Sequence, residues 1–155
     1  MKYMKLNKTS LITAGALIAS LSFCAGTITP AGASMSPSAK KWFITYSSVM
    51  KSYQLDIKAL DAANDASVPN VCGRFQNLGL KLGTAPSPGD KTLNKLANEA
   101  LVTVLNTSLD CLSAGEALLL GASAKNGKVE KLANDFNYVD GLYSRILARV
   151  KQLNN

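Results

Sequence analysis

Apolar side chains fall at Phe43, Tyr46, Met50, Tyr53, Ile57 and Leu60, at spacings of 3, 4, 3, 4 and 3. A repeat averaging 3.5 residues keeps one stripe of a helix turned toward a neighbour. It predicts a helix from about Pro37 to Ala63, with Ser36 as N-cap and Pro37 in the favoured first position. Trp42, Val49 and Leu55 widen that stripe, as expected of a helix touching more than one neighbour.

The same rhythm is longest at the C-terminus, through Val129, Leu132, Phe136, Val139, Tyr143, Ile146, Val150 and Leu153. It predicts a helix from about Lys128 to Leu153, with Gly141 opposite the seam at a cost of about 1 kcal/mol relative to alanine. Between these helices, Ser67-Val68-Pro69-Asn70 and Thr84-Ala85-Pro86-Ser87-Pro88-Gly89-Asp90 break the chain. Pro69 to Leu82 reads as a short helix with Cys72, Phe75, Leu78 and Leu82 on one face, and Gly83 is placed to end it. Asp90 caps a third helix running to about Leu120, with Leu93, Ala97, Ala100, Val104, Cys111 and Leu118 on one stripe. Leu101, Leu105 and Leu112 flank that stripe. Gly121-Ala122-Ser123-Ala124 and Asn126-Gly127 then turn the chain into the last helix. No alternating β-branched run competes, so the predicted fold is all-α, an antiparallel up-and-down four-helix bundle with one short helix.

Residues 1–33 follow a different grammar. Lys2, Lys5 and Lys8 precede an uncharged apolar run from Leu11 to Ala25, and small residues follow at Ala31-Gly32-Ala33. That is the form of a secretory signal cut after Ala33. The run is shorter than the roughly 20 apolar residues a membrane anchor needs. Leu21, Ser22 and Cys24 resemble a lipobox, but Phe23 stands where such boxes carry a small residue, so acylation at Cys24 is not expected. The domain proper is 34–155, secreted or held at the periplasm or cell envelope.

Composition then narrows the chemistry. The chain has 17 Lys+Arg, 10 Asp+Glu and no histidine, which removes Ser-His-Asp and Cys-His nucleophiles and imidazole metal ligation. After cleavage, 122 residues remain with 14 basic and 10 acidic side chains, too mild a balance for a specific nucleic-acid site. Two cysteines remain, Cys72 and Cys111, and an exported chain oxidises such a pair. With 38 residues between them, the bridge would stabilise the fold by roughly 4 kcal/mol. It also sets a register. About 15 Å of helix lies between Cys72 and Leu82 but about 30 Å between Lys91 and Cys111, so the Pro86–Pro88 segment must run extended along the bundle.

The candidate sites are few. Lys128, Lys131, Arg145, Arg149 and Lys151 form the best basic cluster, fitted to weak contact with anionic polymers or lipid headgroups or simply to a solvated face whose C-terminal cations complement the helix dipole. Trp42, Tyr46, Tyr53 and Phe136 would line a pocket if the bundle enclosed a small hydrophobic ligand; otherwise they are core. Tyr138 and Tyr143 complete the tyrosines of the helices. Asp56, Asp61 and Asp65 lack the alternating ligands and glycine turn of a calcium loop, and Asn106-Thr107-Ser108, a glycosylation triplet, falls inside a helix. No metal site and no cofactor are expected.

Cys72, the Pro86-Ser87-Pro88-Gly89-Asp90 turn, Leu93, Ala97 and Ala100 on a helix, and then Cys111 resemble the small exported or lipid-anchored helical domains of Gram-positive bacteria. In those, a cysteine pair flanks a proline-rich turn. The resemblance spans Trp42 to Cys111 and implies no assigned activity. The reading is therefore a non-enzymatic, exported helical-bundle interaction module with an unknown protein or envelope partner. A carrier or sensor for a small hydrophobic ligand is the alternative.

Overall fold

The computed structural model describes residues 35–63, 66–121 and 126–154. The signal segment with Cys24, the cleavage point after Ala33, Asp65 and the 122–124 turn lie outside the described residues. Four helices follow in order: α1 Pro37–Ala62, α2 Val68–Gly83, α3 Lys91–Leu119 and α4 Gly127–Asn154. Among the described residues there is no strand.

Each start has its cause in the sequence. The Ser36 hydroxyl accepts from the Ala39 N–H at 3.2 Å, with Pro37 opening α1. The Asp90 carboxylate accepts from the Leu93 N–H at 2.8 Å, supplying one of the helix's orphan donors with a partner. α2 ends differently from expectation. Gly83 is its last helical residue, and the cap is Thr84 in right-handed conformation, its N–H donating to the Leu80 carbonyl at 3.1 Å. A Cβ at Gly83 would meet a Leu101 methyl carbon at 3.6 Å, an ordinary packing contact, which places the end of α2 beside Leu101.

Neighbouring helices run antiparallel. Arg74 on α2 meets Asp56 on α1, Cys72 on α2 meets Cys111 on α3, and α3 and α4 meet at Asp110–Lys131 and Asp90–Arg149. α1 and α4 close the bundle through rings. Trp42 stacks on Tyr46 at 5.0 Å, and Tyr46 reaches Tyr143 at 6.0 Å. One heptad further on, Tyr53 lies edge-on to Phe75 and Phe136, at 5.0 and 6.1 Å. Such aromatic pairs add roughly 0.5–1.5 kcal/mol each beyond the area they bury.

The Cys72–Cys111 disulfide is present, with Cα atoms 5.5 Å apart. It sits where α2 and α3 approach closely. A Cβ at Gly79 would run into the Leu105 side chain, and one at Gly115 would lie 2.6 Å from Val68 Cγ1. Between them the Ser108 hydroxyl donates to the Cys72 carbonyl at 3.0 Å. Thr84 to Asp90 carries no helix, and it joins Gly83, which lies beside Leu101, to the start of α3, the Ser87 hydroxyl donating to Asn94 Oδ1 at 2.8 Å on the way. Pro88 is buried there, and the Ser38 hydroxyl donates to its carbonyl at 3.3 Å.

Some faces are rotated from their expected places. In α1, Trp42, Val49 and Asp56 are buried while Phe43 is half-buried, and Asp56 meets Arg74 of α2. Leu55 is 57% exposed; nine residues from Tyr46, it stands two and a half turns away, opposite the core. In α3, Leu96, Thr107 and Ser108 are buried, whereas Ala97 and Leu118 are half-buried and Leu112 is exposed.

Candidate interaction surface

The basic cluster of α4 is divided and largely matched. Lys131 and Arg145 are about 21 Å apart along the helix. Lys131 Nζ lies 2.7 Å from Asp110 Oδ1. Arg149 grips Asp90 through Nη2 at 2.7 Å and Nε at 3.1 Å, so the N-cap of α3 is also an ion pair. Arg145 lies 3.5 Å from Glu99 and 5.8 Å from the centre of the Tyr138 ring, whose hydroxyl donates to the same Glu99 oxygen. Lys128 and Lys151 are exposed toward the two ends of α4. Three of the five cations thus face carboxylates of α3.

Tyr46 and Tyr53 are fully buried, Trp42 is 2% exposed and Phe136 8%, and their rings fill the space between the helices by touching one another. A cavity of about 20 Å³ lies elsewhere, lined by Leu60, Val68, Cys111, Ala114, Gly115, Leu118, Val129 and Leu132. That is room for one water-sized body, far below the several hundred Å³ of a ligand pocket.

Among the described residues the buried polar side chains include Asp56, Thr107 and Ser108, distributed over several helix contacts. The Tyr53 hydroxyl lies 3.3 Å from Thr107 Oγ1. Burial holds the Tyr46 phenol well above the ordinary tyrosine range, and raises the Asp140 carboxyl as well. Asp135 is pushed up to about 6, first by burial and then by the Asp110 carboxylate beside it; Lys131 opposes the shift. Asp110 and Asp135 thus form an acid pair across the α3–α4 seam. Among the described residues no group of three or more His, Cys, Asp or Glu could hold a metal ion.

The outer face of α3 stands apart from these. Val102, Leu109, Leu112 and Leu119 are 55, 67, 42 and 47% exposed. With Leu105, half-buried against Gly79, they fall at spacings of 3, 4, 3 and 7, a heptad rhythm distinct from the buried stripe through Leu93, Ala100, Val104 and Cys111. α3 therefore carries two seams. The outer one is masked in the sequence because Leu105 and Leu112 fit as flanks of the inner stripe; the signal was the seven-residue step from Val102 to Leu109 and from Leu105 through Leu112 to Leu119. Scattered exposed leucines are ordinary, but a contiguous apolar stripe on a helix is the mark of an interaction site.

No helix among the described residues is long and apolar enough to cross a membrane. Comparison of the chain with protein-family models, with curated proteins and with solved structures gives no match.

Proposed function

We propose that the protein is an exported, non-enzymatic helical-bundle interaction module acting at the cell envelope or outside the cell. The observation that carries this reading is the apolar seam along the outer face of α3, left open by a bundle whose other stripes are packed. The Cys72–Cys111 bridge supports an oxidising destination, in keeping with the signal-like residues 1–33. The α3 face, more than the charge-matched α4, is where a partner gains by covering apolar surface.

The test uses cells producing the full chain, as wild type or with Val102→Lys and Leu109→Lys together. Fractions are prepared without reductant, and the protein is weighed intact and sized natively. Both forms are expected outside the cytoplasm, beginning at Ser34 and lighter by the two hydrogens of one disulfide. Wild type is expected in a larger assembly and the variant at the mass of one chain. Retention of the intact chain in the cytoplasm, or identical native sizes for the two forms, would overturn the reading.

A further inference from the structure

From the order of residues along the outer seam of α3, we infer that its partner is a second copy of this chain, the two α3 helices packing antiparallel about a two-fold axis. The inference rests on the reading of that face given above.

The four central seam residues, Val102, Leu105, Leu109 and Leu112, are symmetric about position 107. Reversed onto a second copy, Val102 faces Leu112 and Leu105 faces Leu109, giving four consecutive apolar layers. A two-fold interface demands this self-complementarity: residue i meets j and j meets i. The next layer outward sets Asn98 against Glu116, so polar residues flank the apolar centre at both ends.

Charge fixes the direction. Lys95 lies at the N-terminal end of the exposed seam and Glu116 at its C-terminal end. An antiparallel pair brings Lys95 of each copy within one helical turn of Glu116 of the other, twice over by symmetry. A parallel pair would set Lys95 against Lys95 and Glu116 against Glu116. Opposite charges flanking an apolar seam select partner orientation in helix pairs. A seam of this length buries on the order of 800 Å² in all, below the roughly 1,200–2,000 Å² of stable specific interfaces and in the range of weak, transient ones, so the dimer forms and parts with concentration.

The test is sedimentation of the full chain, purified oxidised after whatever processing its cell performs, from about 1 to several hundred micromolar. The weight-average mass is expected to rise from one chain toward two. Glu116→Lys should weaken the dimer roughly tenfold, by adding like charge beside Lys95, and Lys95→Glu combined with Glu116→Lys should restore it. Circular dichroism melts of each variant report that the fold is kept. A single chain mass at every concentration, or no rescue by the double swap, overturns the antiparallel pairing. If the chain stays single while the larger cellular assembly is still lost on Val102→Lys and Leu109→Lys, the face serves a different partner. If neither assembly exists, the reading of the face falls too.

Discussion

Asp90 and Asp135 lie on opposite sides of the ordinary aspartate range, and each tells the other's story in reverse. The Arg149 guanidinium and the Leu93 N–H hold Asp90 low, so its contribution is present above the unfolded value near 4 and is lost as pH falls toward the folded one. Removing the side chain, Asp90→Ala, should cost about 1 kcal/mol as a lost cap and flatten the acid limb of stability. Asp135 is raised to about 6. The folded state then binds more protons than the unfolded between about 4 and 6, so stability falls as pH rises through that window. Asp135→Asn should raise stability at pH 7 by on the order of 1 kcal/mol, after discounting for solvent screening, and remove that slope. Urea midpoints from pH 3 to 8 check both variants. Neither residue was singled out for this from sequence, because a carboxylate's shift depends on which helix lies opposite.

At the scale of elements, periodicity carries most of what can be read. The seams of α1 and α4 run unbroken, and the cap at Ser36 and the cap at Asp90 are where Ser-Pro and Pro-Gly-Asp place them. Glycine is where local reading stops. Gly141 and Gly115 both sit inside helices and look alike in the sequence, yet a Cβ at Gly141 meets nothing within 4 Å while one at Gly115 meets Val68. Gly141→Ala should stabilise by about 0.5–1 kcal/mol through helix propensity. Gly115→Ala gains the same propensity but must displace a buried, β-branched valine, and crowding of that kind costs about 1–3 kcal/mol; the net expectation is a loss of about 1 kcal/mol. Chemical denaturation of the two variants, with circular dichroism for helix content, separates them.

For the whole molecule, the bridge did more than staple two helices. Cys72 and Cys111 fixed the α2–α3 register, and that register alone required Thr84–Asp90 to lie along the bundle, as it does. Reduction of the bridge should lower unfolding stability by about 2–4 kcal/mol, read from urea midpoints with and without reductant or from Cys72→Ala with Cys111→Ala. The candidate surface was less legible than the fold. A list of cations on α4 does not reveal that Asp90, Glu99 and Asp110 face them from α3, and a leucine-rich helix does not declare which of its two seams is left outside. Both depend on where the third helix sits between its neighbours.

The claim that the outer face of α3 pairs with a second copy of this chain is tested most directly by a dilution series followed by backbone amide NMR of the oxidised protein. Concentration-dependent shifts are expected in α3 between Lys91 and Leu119 and on the adjoining edge of α2. Shifts centred on Arg145–Lys151 of α4, or a spectrum that does not change with concentration, would contradict it.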